Sequence, residues 1–288
     1  MTAVHRLRSM RGPTVIPPGG GEIIGDSPDR RVEILSDAGP LHATWSRFAP
    51  GRDGADLHIH RRHTDLFYVL AGELTVRLGA DGAPVPVPAG TLARVPPLVV
   101  HGFRNDGDTE LRYLNLHAPG VGFADYLRAL RAGRELVYDQ EMPPADGGRP
   151  RGDATIGGTG FATERSGLHV ALLADIDAIA VAEVRGDPGE PALTPHVHRR
   201  HVESFFVLEG ELALLGGDRE VHVPAGSWVQ VPPGVVHTVA VLGDGPARFL
   251  SLHTPSCGFG AFLRALDAAR TDAEEAAARA AFDQEPAG

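Results

Sequence analysis

The stretch His58-Ile-His-Arg-Arg-His63-Thr-Asp65-Leu-Phe-Tyr-Val-Leu-Ala-Gly72-Glu73 returns later in the same chain as His196-Val-His-Arg-Arg-His201-Val-Glu203-Ser-Phe-Phe-Val-Leu-Glu-Gly210-Glu211. The offset, 196 − 58 = 138, holds to the closing glycine, 210 − 72 = 138. A second block, Pro88-Ala-Gly90-Thr-Leu-Ala-Arg-Val-Pro96-Pro-Leu-Val-Val-His101, returns as Pro224-Ala-Gly226-Ser-Trp-Val-Gln-Val-Pro232-Pro-Gly-Val-Val-His237, with an offset of 237 − 101 = 136. The pairs Leu116-His117-Ala-Pro and Leu252-His253-Thr-Pro, then Tyr138-Asp-Gln-Glu141 and Phe282-Asp-Gln-Glu285, carry the duplication almost to the end of each half. A repeat this long means two structural units, and 288 residues are enough for each to bury its own core. We read residues 1–143 as the first domain, the Pro/Gly-rich stretch 144–160 as a linker, and 161–288 as the second domain with a helical tail.

Within each copy, short β-branched and aromatic runs are separated by turn residues, which predicts an all-β unit. Strands are expected at Leu41–Phe48, Leu66–Leu70, Leu74–Leu78, Leu92–Val95 and Leu111–His117. Amphipathic helices are expected at Phe123–Leu136 and Phe259–Ala280, the second docked and fraying beyond Gln284. A formal charge of −10 argues against nucleic acid or an anionic membrane as partner, and no apolar run is long enough to span a bilayer. A small-molecule substrate is the expected partner, and a homo-oligomer is compatible with the composition. The basic segment Met1–Gly12 lacks the apolar stretch of a secretory signal. Together with a single cysteine, Cys257, read as a small buried apolar residue, this gives a cytoplasmic expectation.

His58 and His60, like His196 and His198, are two apart, so on a strand each pair points to one face and can grip one ion. Asp65 and Glu203 follow at the head of the next strand. His101 and His237 sit beyond a Gly-x5-Pro-Pro turn that re-aims the chain. Three imidazoles and a carboxylate suit Fe, Mn, Ni, Co or Cu as a divalent ion, one per domain, with coordination positions left over for substrate. A structural zinc site would be richer in thiolate. His5, His42, His169 and His222 are read as packed or surface residues, His63 and His201 as surface or hydrogen-bonding groups, and the Arg61/Arg62 and Arg199/Arg200 pairs as solvated turn charges.

These residues resemble the cupin superfamily, whose motifs read G-x5-H-x-H-x3,4-E-x6-G and G-x5-P-x-G-x2-H-x3-N. The second copy supplies His196, His198, Glu203 and Gly210, then Gly226, Pro232, Gly234 and His237. The first supplies His58, His60, Asp65 and Gly72, then Gly90, Pro96, His101 and Asn105. It departs at Asp65, in place of Glu, and at Leu98, in place of Gly; Val241 replaces the Asn of the second copy. The resemblance implies two tandem jelly-roll β-barrels of six to eight strands, each followed by a short helical segment. The layout is most similar to quercetin 2,3-dioxygenase-type bicupins. That similarity implies a metal-dependent dioxygenase acting with O2 on a phenolic or enolisable molecule, with Glu203, and Asp65 in the first barrel, as catalytic base. Phe205, Val207 and Val239, and Phe67, Val69 and Phe103 in the first barrel, are expected to wall the pockets or to be ordinary barrel core. The alternatives are an isomerase or cyclase using the ion as Lewis acid, and a non-catalytic metal- or ligand-binding bicupin. An oxalate decarboxylase would need a pocket arginine, for which Arg94 is the candidate.

Overall fold

The computed structural model describes residues 12–148, 150–165, 167–189, 194–217 and 219–287. His5 and the basic segment up to Arg11 lie outside them. Each half is a pair of facing antiparallel sheets that do not close into a barrel. In the first, a seven-stranded sheet runs in the order Thr155–Ile156, Leu92–Val95, Thr64–Ala71, Leu111–Ala118, Leu41–Phe48, Arg30–Ala38, Glu22–Ser27. It faces a four-stranded sheet of Asp53–His58, His101–Arg104, Glu73–Leu78 and Ala83–Pro88. In the second, a seven-stranded sheet of Thr14–Ile16, Trp228–Val231, Val202–Glu209, Ala247–Thr254, Ile179–Gly186, Leu168–Ile176 and Ala162–Arg165 faces five strands. These are Arg219–Pro224, Glu211–Gly216, His237–Leu242, His196–Val197 and Glu285–Pro286. Each half is thus wider than the six to eight strands expected.

The long apolar runs have a simple cause. Thr64–Ala71 is buried on both faces: Phe67 and Val69 point between the two sheets of their own half, while Leu66 and Tyr68 point outward against the other half. Ser204-Phe-Phe-Val-Leu208 divides likewise, with Phe205 and Val207 inside and Phe206 outside. The two large sheets therefore pack face to face through a third core, in which Leu41, Leu66 and Leu116 meet Val181, Trp228 and Leu252. Fully burying such a side chain contributes about 1.5–3 kcal/mol. Polar pins cross the same interface: Tyr68 Oη donates to Glu183 Oε2 at 2.7 Å and Gln230 Nε2 to Ser36 Oγ at 3.0 Å.

The halves also exchange strands. Thr14–Ile16, at the start of the first half, pairs with Trp228–Val231 of the second, and Thr155–Ile156, a strand inside the stretch expected to be the linker, pairs with Leu92–Val95 of the first. Arg94 secures the latter exchange, its Nε donating to Thr155 Oγ1 at 3.2 Å and a terminal nitrogen to the Asp153 carbonyl at 3.1 Å.

Helix α1 (Phe123–Arg131) ends earlier than expected and packs on Val32 and Ile34. The expected long helix of the tail is two, α2 (Phe259–Ala268) and α3 (Asp272–Ala281). Thr271 restarts the helix through a reciprocal cap: its Oγ1 accepts from the Glu274 N–H at 3.2 Å while Glu274 Oε2 accepts from the Thr271 N–H at 3.0 Å. Nor does the tail fray, because Asp283 and Gln284 are buried and Glu285–Pro286 pairs with His196–Val197. At Gly72 and Gly210, φ is +74° and an added Cβ would meet the carbonyl oxygens of Glu110 and Pro246 at 2.5 and 2.9 Å, so only glycine fits these turns.

Trp228 is fully buried between the halves and its indole N–H has no hydrogen-bond partner among the described residues. Trp228→Ala is expected to cost about 3–5 kcal/mol in urea unfolding, and Trp228→Phe, which also removes the unpaired N–H, distinctly less.

Candidate metal centres

The expected ligands converge in both halves. His58 and His101 are register partners on the small sheet, as are His196 and His237. Asp65 and Glu203 come from the facing large sheet. Each centre thus joins the two sheets of its half, and within each set one donor atom per residue lies within 4.8 Å of the others. All eight side chains are buried.

The imidazoles are fixed by their outer nitrogens. His58 Nδ1 donates to the Asp56 carbonyl at 2.6 Å and His101 Nδ1 to that of Val99 at 3.0 Å, while His60 Nδ1 donates to the Asp139 carbonyl. In the second half the acceptors are Thr194 at 2.7 Å, Val235 at 2.9 Å and Asp283. A carbonyl only accepts, so Nδ1 carries a proton in all six rings and Nε2 is the inward atom left to coordinate an ion. Two such nitrogens face each other at 3.0 Å in His58 and His60, and at 3.2 Å in His196 and His198. Nitrogens held at about 2.1 Å from one ion and at right angles to each other lie about 3.0 Å apart. Among the described residues the buried Nε2 of His101 has no hydrogen-bond partner. Donor type, spacing and this orphan atom all fit a divalent transition metal.

The two carboxylates differ. Glu203 Oε2 lies 2.8, 3.0 and 3.6 Å from the Nε2 atoms of His237, His198 and His196. Asp65 Oδ2, one methylene shorter, is 3.4 Å from His101 and 3.6 Å from His60. Behind each stands a hydrogen-bond donor from the next strand: Asn115 Nδ2 for Asp65 Oδ1, and Ser251 Oγ at 3.0 Å for Glu203 Oε1. Burial alone would raise both carboxyl pKa values, but His117 and the ligand imidazoles outweigh it at Asp65, and His253 and the ligands at Glu203, so both stay ionised.

His63 and His201 are fully buried rather than at the surface. His63 Nδ1 donates to Asp139 Oδ2 at 2.8 Å, and the same carboxylate accepts from the backbone N–H groups of Arg61 and Arg62 at 3.1 and 2.9 Å. Asp283 repeats this with His201 at 2.8 Å and with Arg199 and Arg200 at 3.1 and 2.8 Å. Each aspartate therefore holds the loop between the His-x-His pair and its carboxylate with its side chain, and the second histidine of the pair with its carbonyl. The four arginine heads are exposed, as expected of turn charges; those of Arg61 and Arg199 pair with Glu141 and Glu285. Sequence reasoning also passed over His117 and His253. His117 Nε2 is 3.2 Å from Asp65 Oδ1 and its Nδ1 is 2.6 Å from Tyr138 Oη; His253 bonds His201 and Ser251. Their recurrence in the two repeats was the available signal. Of the other histidines, His42 is buried and accepts from the Phe123 N–H, whereas His169 and His222 are exposed.

Leu98 adopts φ +66° where Gly234 has +85°, and both N–H groups donate at 2.7 Å to the carbonyl of the second ligand histidine. The left-handed turn is needed for that bond, and a non-glycine residue there costs about 1–2 kcal/mol. Asn105 is a turn brace: its amide donates to the carbonyls of Ala49 and Thr109, both at 2.9 Å.

A cavity of about 340 Å³ opens from the second centre and one of about 310 Å³ from the first. Of the two readings left open for the expected walls, core holds for Phe205, Val207, Val239, Phe67 and Val69, and of the six only Phe103 lines either of these two cavities. The second cavity is walled instead by Val184, Phe249 and the helix residues Phe259, Phe262, Leu263 and Leu266, with Arg165, Glu275 and Arg279 as its charged groups. Arg94 lines neither.

Two facing sheets carrying a three-histidine, one-carboxylate cluster, built twice in one chain, define a duplicated β protein of the metal-centre type. The profile of the cupin domain matches residues 44–117 and 182–253, and the chain belongs to that family. Solved structures of the same fold include a Pseudomonas aeruginosa protein described as glyoxylate-induced, at 17% identity and TM-score 0.61 over 88% of this chain and 92% of that one. A single-residue variant of Bacillus subtilis oxalate decarboxylase aligns at 16% identity and TM-score 0.61 over 83% and 76%. Lactobacillus farciminis oxalate decarboxylase in complex with formate aligns at 16% and 0.59 over 84% and 86%. No curated protein matches the chain in sequence. Among the described residues no helix is long and apolar enough to cross a membrane.

Asp283→Asn keeps the backbone carbonyl but puts an amide against N–H donors. It is expected to weaken metal binding at the second centre about 10–100-fold while leaving the first unchanged, as read by chelator competition on wild type and variant. Burial, then the neighbouring rings, push His58 down to about 3 and His201 down to about 4. Both stay neutral when folded but take a proton near pH 6.5 when unfolded. Their contribution is present above pH 6.5 and lost as pH falls toward 4, at up to about 1.4 kcal/mol per unit for each. Chelator-stripped protein should show a urea midpoint that falls across that window; a flat profile would contradict the buried neutral rings.

Proposed function

We propose that the protein is a metal-dependent dioxygenase acting on an enolisable or phenolic small molecule, with its chemistry at the second centre. What supports this is one arrangement: three inward imidazole nitrogens and an ionised carboxylate beside a cavity lined largely by aliphatic and aromatic side chains. His196, His198, Glu203 and His237 hold the ion there, and His58, His60, Asp65 and His101 hold one in the first half. A divalent metal bound there polarises a substrate oxygen as a Lewis acid. The protein's own groups do the rest. Phe249, Phe259 and Phe262 seat a flat molecule and exclude water. Glu203 Oε2 takes the substrate's hydroxyl proton, while Oε1, bonded to Ser251, keeps the carboxylate in place. Asp65 has the corresponding role in the first half. The substrate is a small molecule, since about 340 Å³ equals the volume of roughly eleven waters.

Metal-loaded protein incubated with a flavonol under labelled oxygen is expected to give product carrying the label. Glu203→Gln should lose about 100-fold or more in kcat, and Asp65→Asn much less. Turnover that persists without oxygen, or product of unchanged mass, overturns the dioxygenase reading in favour of isomerisation.

A further inference from the structure

The two cavities come from equivalent strands yet differ in chemistry. Ser46 and Tyr113 are register partners lining the first; their counterparts Val184 and Phe249 are register partners lining the second. The third difference is the largest. Arg30 lines the first cavity opposite Phe48, where the second has Leu168 opposite Gly186.

Arg30 is half-buried, with its guanidinium carbon 5.7 Å from the centre of the Phe48 ring. Among the described residues it has no ion-pair partner, and its Nε is buried with no acceptor. A buried N–H without an acceptor costs roughly 1–3 kcal/mol, more when it belongs to a charged group. A guanidinium offers a planar fork matched to a carboxylate. Nothing in the fold needs a cation at this place, since the second half builds the same wall from leucine.

We infer that the first cavity binds the carboxylate of a small organic acid through Arg30, so that the two halves of the chain take different ligands. The hydroxyl-bearing residues Ser46 and Tyr113 line the same space, and so do His58, His60 and Asp65. A volume of about 310 Å³ is that of roughly ten waters, which limits the ligand to a compact acid. An acid with an enolisable oxygen donor beside its carboxylate answers both the guanidinium and the ligand cluster that line the cavity. The inference rests on the proposed small-molecule function only for the oxygen donor; the pairing with Arg30 stands on its own.

Calorimetric titration of the metal-loaded protein with phenylpyruvate, a 2-oxo acid, and with phenylacetone, which has a methyl group in place of the carboxylate, tests it. The acid is expected to bind at least about tenfold more tightly. Arg30→Leu, which installs the residue type of the second half, should abolish the preference, and Arg30→Lys should retain part of it, with circular dichroism and thermal unfolding showing both variants folded. The inference is overturned if the wild type shows no preference, if Arg30→Leu keeps it, or if it is lost in Arg279→Leu and not in Arg30→Leu. Elemental analysis of the same samples separates the two readings: protein without metal at either centre removes the proposed catalysis, whereas the carboxylate preference follows Arg30 alone.

Discussion

Three inward ring nitrogens and an ionised carboxylate are aimed at one point, two of the nitrogens about 3 Å apart, so these electron-rich atoms repel one another unless a cation or a shared proton lies between them. Much of each half is arranged to hold that cluster. Every ligand imidazole is turned inward by a carbonyl on its outer nitrogen. Each carboxylate is braced from the next strand, and each intervening loop is tied by an aspartate from the far end of the same half. The tails, which resemble solvent-facing appendages in composition, are therefore structural parts of the centres.

The halves solve this problem with different side chains. Asp65 is short and its brace Asn115 long; Glu203 is long and its brace Ser251 short. The sum of the two reaches is nearly kept, but the charge moves toward the histidines in the second half and away from them in the first. Behind the ligands, Tyr138 places a hydroxyl between His63 and His117, whereas its counterpart Phe282 leaves His201 to bond His253 directly. The duplication has been preserved in geometry and relaxed in chemistry.

The ligand sets were legible because period 2 puts His58 and His60 on one face and because the pattern occurs twice. Strands such as Leu41–Phe48 and Leu92–Val95 were legible to the residue, since turns bound them closely. Alternation gave the face on which Phe205 and Val207 lie but not their depth, and depth decides whether a side chain meets the cavity or the core. Asp139 and Asp283 were not legible as clamps, because their bonds to the histidine loops span 76 to 84 residues and no local periodicity reports such closures. Arg30 was invisible for the same reason: its significance is the missing partner, which only the packed strands reveal.

The exchanged strands have a consequence in time. Synthesis runs from the amino terminus, so Ile16 leaves the ribosome 228 − 16 = 212 residues before Trp228, its partner in the sheet, exists. The arm on the other side waits for nothing, because Leu92–Val95 is already made when Thr155–Ile156 follows. The first half can thus be completed as soon as its borrowed edge emerges, while its own leading arm stays unpaired until nearly the whole chain has been made. The last-made half then gathers in the first-made strand, so the full chain, not either repeat, is the unit that finishes folding.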